Sequence, residues 1–160
     1  MVINRKILLM LFMGTLFNTT YANIFPRGCE VTGFGYNGMN LVVNNNGAQA
    51  FYLIQNRSLR PIELQRIEMR DVFMSPPLTA KLEPNKWAAF ASDIQDFNFQ
   101  CFYVENDKSE KAECRDVLDI CQYPRVKFAL SNMGNYWVSV NKEQRQIIND
   151  ATAKGIYLRW

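Results

Sequence analysis

The stretch LTAKLEPNKWAAFA, residues 78–91, carries the pattern from which the fold class is inferred. Apolar and polar residues alternate up to Leu82, which is typical of a β-strand with one buried face. Pro84 and Asn85 form a good turn pair, because proline fixes φ and asparagine tolerates turn geometry. Folding the chain about this turn sets Leu82 opposite Trp87. The stretch therefore predicts a β-hairpin whose apolar side chains face inward together.

A second hairpin is predicted from RVKFALSNMGNYWVSV, residues 125–140. Apolar residues occupy alternate positions on both sides of a turn at residues 131–135. Pairing Phe128 with Val138 across this turn aligns the two apolar faces, and such agreement is hard to obtain from a helical segment.

The rest of the chain continues the all-β pattern, with short apolar segments between turn signals. Strands are predicted near residues 29–34, 40–44, 50–56, 61–68, 97–104 and 156–160. Asn44–Gly47 predicts a turn between two of them. One helix is predicted near the C-terminus, with Asn141 as N-cap, Gln144 at the capping-box position and Gly155 after its end. Together they predict an immunoglobulin-like β-sandwich with one short helix before the last strand.

Residues 1–22 have the features of a secretory signal peptide. Arg5 and Lys6 form a short basic region, and an almost unbroken apolar run follows over residues 7–17. This run is too short to cross a bilayer, which needs about 20 residues. The alternative is a buried or interfacial N-terminal helix. We expect residues 23–160 to form a single domain with no membrane span.

Composition narrows the possible chemistry. The sequence contains no histidine, which excludes serine or cysteine catalysis through an imidazole and histidine-ligated zinc. The net charge is +3, and Arg5 and Lys6 are the only charges in residues 1–22, so their removal leaves +1. A nearly neutral domain with interspersed charges is not expected to bind nucleic acid. The sequence contains no recognisable cofactor-binding motif, and we expect that no cofactor is bound.

Four cysteines follow the predicted signal peptide: Cys29, Cys101, Cys114 and Cys121. An even number of cysteines behind an export signal indicates two disulfides and a periplasmic or secreted protein. A four-cysteine zinc site is disfavoured, because no CxxC pair is present. We favour Cys29–Cys101 with Cys114–Cys121, since alternation places Cys101 on an inward face. The alternative joins Cys101 to Cys114 and Cys29 to Cys121.

Paired carboxylates are the catalytic groups that remain without histidine or a free thiol. Asp93 with Asp96, or Asp116 with Asp119, would suit a carbohydrate- or peptidoglycan-active enzyme. Both pairs lie in polar, turn-like stretches, where acidic residues commonly cap helix ends or face the solvent. We therefore predict that the protein is not an enzyme.

Aromatic residues predicted to point away from the core are candidates for a partner surface. Alternation along their strands places Phe102, Trp137 and Tyr157 opposite inward-facing neighbours. Exposed aromatic side chains on strands are typical of protein-binding or glycan-binding surfaces. The alternative is that the helix near residues 142–154, or a loop, covers them.

Four stretches also carry a family resemblance: CEVTGFGYNGMNL (residues 29–41), FYLIQNRS (51–58), WAAFASD (87–93) and CQYPRVKFALSNMGNYWVS (121–139). They resemble the enhanced-entry protein EnhB family of intracellular bacterial pathogens. The resemblance rests on overall pattern and transfers no functional residue. It implies an exported protein that promotes invasion of, or survival in, host cells, with a protein partner of the Sel1-repeat type.

The sequence thus predicts a non-enzymatic interaction module that binds another protein of the cell envelope or a cell-wall component. A carboxylate-based enzyme and a purely structural envelope protein are the alternatives.

Overall fold

The computed structural model describes residues 24–44, 49–67, 79–92, 96–128 and 136–158. In chain order the strands within these ranges are β1 Phe34–Asn37, β2 Asn40–Asn44, β3 Ala50–Asn56, β4 Ile62–Arg66, β5 Thr79–Leu82, β6 Trp87–Ser92, β7 Asp96–Glu105, β8 Lys108–Ala112, β9 Leu118–Tyr123, β10 Val126–Lys127, β11 Tyr136–Lys142 and β12 Tyr157–Leu158. The helices are α1 Cys114–Val117 and α2 Gln144–Ala153. The predicted signal peptide, residues 1–22, lies outside the described residues.

The strands form antiparallel sheets, so the mainly β fold predicted from the sequence is confirmed. A six-stranded sheet has the order β1-β2-β7-β4-β5, with β8 also paired to β7. A four-stranded sheet has the order β11-β6-β3-β9, and β10 pairs with β12 in a two-stranded sheet. Among the described helices, none is long and apolar enough to cross a membrane.

The six- and four-stranded sheets bury a shared set of apolar side chains, which we term the inter-sheet core. Phe90 of the four-stranded sheet makes edge-to-face contacts with Phe97 and Phe99 of the other sheet, with ring centroids 4.6 and 5.6 Å apart. Such contacts add to the free energy gained by burying apolar area. The remaining members include Leu41, Val43, Tyr52, Ile54, Ile62, Leu64, Leu82, Val117, Leu118 and Ile120.

The opposite face of the four-stranded sheet is also buried, in what we term the outer core. Helix α2 covers this face with Ile147 and Ala151, and Ile156 follows the helix. The sheet contributes Phe51, Leu53, Trp87, Ala89, Ala91, Cys121 and Tyr123. Because both faces are buried, the apolar run of β3 is continuous rather than alternating.

The predicted hairpin over residues 78–91 is wrong, although its turn is present. Strand β5 pairs with β4, whereas β6 lies between β3 and β11 in the other sheet. Asn85 adopts a left-handed φ of 60°, and its N–H donates to the Asn56 carbonyl at 2.9 Å. Alternation identifies the buried face of each strand but not its partner, so it did not exclude a turn that passes between sheets.

The predicted hairpin over residues 125–140 is also wrong. Strand β10 pairs with β12, and β11 pairs with β6. The side chains that were predicted to pair lie in different cores: Phe128 lies in the outer core, and Val138 packs against the inter-sheet core. The predicted turn at 131–135 lies outside the described residues, as do residues 45–48, which contain most of the predicted Asn44–Gly47 turn.

The favoured disulfide pairing is wrong, and the alternative is the observed one. Cys29 is bonded to Cys121, and Cys101 to Cys114, with Cα–Cα distances of 5.5 and 5.3 Å. Cys121 faces the outer core, whereas Cys101 faces the inter-sheet core, so bonds within each core are the ones that geometry allows. The presence of two disulfides is confirmed, and it indicates a non-reducing compartment outside the cytoplasm.

The C-terminal helix is present, but it begins later than predicted. Its N-cap is Glu143, whose side chain forms a reciprocal capping box with Gln146. Asn141 is instead the last residue but one of β11. Gly155 follows the helix with a left-handed φ of 79°, as predicted. The strand predicted near residues 29–34 begins only at Phe34.

Candidate protein-binding groove

The three aromatic residues predicted to form one surface lie on different parts of the fold. Phe102 is half-buried on β7, in register with Glu63 and Lys111. Trp137 lies on β11 of the other sheet, and Tyr157 lies on β12 with 60% of its surface exposed. The structure therefore does not bring Phe102 together with Trp137.

Trp137 is half-buried because the outer face of its sheet is covered. Its ring stacks on Phe51, with centroids 6.3 Å apart and planes inclined by 20°. The sequence correctly placed Trp137 on the face opposite Val138. The alternative prediction, that the C-terminal helix covers the aromatic residues, holds for Trp137. Trp137 packs against the outer core, which includes Ile147 and Ala151 of α2.

A groove of about 310 Å³ lies between β11 and α2. Trp137, Val138, Ser139, Lys142, Asp150, Ala153 and Lys154 line it. Strand residues, including the half-buried Trp137, thus form one wall, and residues of α2 and its C-cap form the other. Its size is near the lower end of the range for ligand pockets, about 300–1,000 Å³.

An ion pair crosses the groove from strand to helix. The Lys142 ammonium contacts the Asp150 carboxylate, and Ser139 Oγ donates to the same carboxylate oxygen at 3.4 Å. The side chains of Lys142 and Asp150 are 43% and 37% exposed, so solvent screens this pair. The contact therefore fixes the positions of these groups more than it stabilises the fold.

A β-bulge brings Lys142 into the groove. Ser139 pairs with Ala89, and Lys142 pairs with Trp87. The two β11 residues are three positions apart, whereas their β6 partners are two positions apart, so β11 contains one extra residue. Without the extra residue, alternation would turn Lys142 toward the inter-sheet core. Asn141 makes the bulge possible, with a left-handed φ of 58° and an Oδ1 that accepts the Glu83 N–H at 2.8 Å.

Lys154 gives the groove a second cation. It caps α2 through its backbone N–H, which donates to the Ala151 and Asp150 carbonyls at 3.0 and 3.1 Å. Its side chain is exposed, and within the described residues it forms no ion pair. Because Asp150 offsets Lys142, the groove lining carries one uncompensated positive charge.

Strand β11 is an edge strand of its sheet. It pairs with β6 on one side, and no other described strand pairs with its second side. An edge strand offers backbone N–H and C=O groups that can hydrogen-bond to an added strand. The groove thus lies along an edge suited to strand addition.

The groove-lining residues Ser139, Lys142, Asp150 and Lys154 were not predicted from the sequence. The available signal was a strand followed closely by an amphipathic helix, which suggests that the two elements lie near each other. That signal does not reveal the bulge, because a single extra residue leaves the alternation of Trp137 and Val138 unchanged.

The candidate carboxylate pairs are placed differently. Asp93 lies outside the described residues, and Asp96 begins β7. Asp119 Oδ1 lies 3.5 Å from Arg57 Nη1, and the same guanidinium donates to the backbone carbonyl of Asp116. Arg57 thus ties the Asp116–Asp119 segment to the end of β3. Within the described ranges, no group of three or more acidic or cysteine side chains is arranged to hold a metal ion.

Comparison with known proteins gives no match, whether with family models, curated proteins or solved structures. The resemblance to the EnhB family accordingly stays a prediction.

Proposed function

We propose that this chain is a non-enzymatic protein-interaction module that acts outside the cytoplasm and binds its partner in the groove between β11 and α2. The observation that carries the proposal is the groove along an edge strand, with Trp137 in its lining. Such a groove accepts an extended segment, whose backbone pairs with the edge while its side chains contact the groove.

The groove is fixed before any partner arrives, which favours binding. Trp137 is stacked on Phe51, Lys142 is held by Asp150, and α2 is anchored by the buried Ile147. Side chains that are already ordered lose little conformational entropy on association. Tryptophan is also a residue type enriched among binding hot spots.

For the cellular setting, we propose export through a signal peptide over residues 1–22 into the periplasm or to the exterior. The two disulfides support an oxidising destination. We also propose that the facing sheets form a sandwich of the immunoglobulin-like kind. On the EnhB resemblance, the partner is a protein of the cell envelope, of the Sel1-repeat type, and the module contributes to host-cell invasion or intracellular survival.

The enzyme alternative, a carboxylate-based carbohydrate- or peptidoglycan-active protein, has less support. In the Asp116–Asp119 pair, the Asp119 carboxylate contacts Arg57, and the same arginine holds the backbone at Arg115 and Asp116. This arrangement accounts for the Asp119 carboxylate as an anchor between β9 and the residue that follows β3.

Site-specific photo-crosslinking in the cells that produce the protein tests the proposed groove. Benzoylphenylalanine replaces Ala153, an exposed residue that lines the groove. The matched control replaces Arg145, which is exposed on the same helix outside the groove lining. We expect a discrete protein adduct from position 153 and none from position 145.

Two results would contradict the proposal. The first is the absence of any adduct at position 153 while the protein is folded and oxidised. The second is equal crosslinking at positions 153 and 145, which would indicate contact without a defined groove. Fractionation of the same cells tests export, since an uncleaved, cytoplasmic protein with reduced cysteines would overturn it.

A further inference from the structure

We infer that the segment bound by the β11–α2 groove is an extended acidic peptide strand, with an apolar side chain against Trp137 and a carboxylate next to Lys154. This inference rests on the proposed function, and it adds the chemistry of the partner. It follows from three features: the charge of the groove, the bulge and the spacing of side chains along a strand.

The charges in the groove favour an anionic ligand. Asp150 is already engaged by Lys142 and by the Ser139 hydroxyl. A cation entering the groove would have to displace one of these contacts, whereas an anion can pair with Lys154 and leave them intact. Charge complementarity of this kind selects among partners more than it adds affinity.

The bulge places the Lys142–Asp150 ion pair in the groove. Lys142 lies on the same side of β11 as Trp137 and Ser139 only because of the extra residue near Asn141. Bulges at sheet edges commonly redirect a side chain toward a functional surface. Both lysines therefore line the groove that runs along β11.

Spacing along the added strand predicts the order of its residues. Alternate side chains of a strand point to the same face, about 6.7 Å apart for every second residue. The side that faces α2 must meet the Trp137 indole and the Lys154 ammonium. An apolar residue and an acidic residue on the same face of the added strand, for example at positions i and i+2, are therefore expected to meet these two groups.

Panning of a phage-displayed library of random dodecapeptides on the oxidised full chain tests the inference. The most enriched peptide is then synthesised as a matched set with glutamate, glutamine or lysine at its acidic position. We expect enrichment of proline-poor sequences with an acidic residue two positions from an apolar one. The glutamate peptide should bind about two- to fivefold more tightly than the glutamine peptide.

Charge-reversal variants connect this preference to the groove. Lys154→Glu should remove the preference for glutamate over glutamine, or invert it in favour of lysine. The control is Lys111→Glu, at an exposed lysine on β8 of the other sheet, and it should leave the preference unchanged. Raising the salt concentration should narrow the difference between the peptides, because exposed charges are screened.

The outcomes separate this inference from the proposed function. Peptides that compete with the position-153 crosslink but show no acidic preference, or lose it equally with Lys111→Glu, overturn the inference and leave the module intact. Failure to enrich any peptide, together with failure to crosslink, overturns both. Concentration-dependent dimerisation abolished by Lys154→Glu would assign the groove to a second copy of this chain and also overturn the inference.

Discussion

Trp137 stacks on Phe51 across Ala91, which lies between them in the sheet. Ala91 is in register with Phe51 on one side and with Trp137 on the other. Its methyl group leaves the space in which the two rings meet, with centroids 6.3 Å apart. This three-residue row joins the edge strand β11 to the centre of the sheet and holds Trp137 in the groove lining.

Replacing Ala91 by leucine should separate the two rings. Ala91 is fully buried, so the added carbons have no free space, and overpacking of this kind costs about 1–3 kcal/mol of unfolding free energy. Urea unfolding followed by tryptophan fluorescence measures the loss. An unchanged midpoint would show that the row is loosely packed.

Trp137→Ala should destabilise the fold by about 2 kcal/mol, less than for a fully buried aromatic residue because Trp137 is half-buried. Tyr157→Ala is the matched control: with 60% of its surface exposed, it should change stability by no more than about 0.5 kcal/mol. Chemical denaturation of both variants provides the comparison. Equal, small effects would mean that the indole contributes no packing to the outer core.

The two disulfides should contribute unequally to stability. The Cys29–Cys121 bond spans 92 residues and the Cys101–Cys114 bond 13. In the loop-entropy model these separations correspond to about 4.5 and about 3 kcal/mol. Double cysteine-to-alanine variants of each pair, unfolded under oxidising conditions, test the order. Non-reducing peptide mapping checks the pairing itself, and a Cys29–Cys101 peptide would contradict it.

Asn56→Ala should be strongly destabilising, by about 3 kcal/mol. Asn56 is fully buried, and its amide donates to the Arg60 and Leu82 carbonyls at 2.8 and 2.9 Å. Its Oδ1 accepts from the Ser58 N–H and hydroxyl at 2.9 and 2.7 Å. Ser58→Ala removes one of these bonds and should cost about 1 kcal/mol. Thermal unfolding of both variants compares their losses of stability. A larger loss for Ser58→Ala would show that the Asn56 hydrogen bonds do not dominate the stability of residues 56–60.

Tyr123 should make the fold sensitive to alkaline pH. Burial raises the pKa of Tyr123 to about 12, whereas an unfolded tyrosine titrates near 10. The unfolded state therefore loses the proton first, so the stabilisation is complete below about pH 10 and falls as pH rises toward 12. Burial also raises the pKa of Tyr52, which adds to the fall.

Tyr123→Phe tests this dependence. The Tyr123 hydroxyl is buried and has no hydrogen-bond partner among the described residues, so its removal should leave stability at pH 7 unchanged or slightly higher. Between pH 10 and 12 the variant should lose less stability than the parent chain. Equal losses in the two proteins, measured by urea titration at each pH, would show that Tyr123 does not titrate on unfolding.

Short-range signals predicted the local structure well. Leu82 and Trp87 were expected in strands on either side of a turn at Pro84 and Asn85, and they are. Gly155 was expected to follow a helix, and its positive φ confirms it. These features depend on dihedral preferences and on the alternation of apolar residues, and both are properties of a few consecutive residues.

Long-range pairing could not be predicted in the same way. The β5–β6 turn fits a hairpin as well as it fits a crossing between sheets, and Asn56 decides between them from 29 residues away by accepting the Asn85 N–H. The same limit applied to the cysteines, since alternation assigned Cys101 to a buried face without showing that the fold contains two separate cores.

Three properties are evident from the chain alone: the protein is mainly β, its cysteines form two disulfides, and it has no imidazole for chemistry. These properties follow from composition and from patterns a few residues long. The folded structure was needed to show which strands pair, which core each cysteine occupies, and that one extra residue in β11 turns Lys142 toward Asp150. Strand partners are chosen by the packing of whole faces, and a face is assembled from segments far apart in the chain.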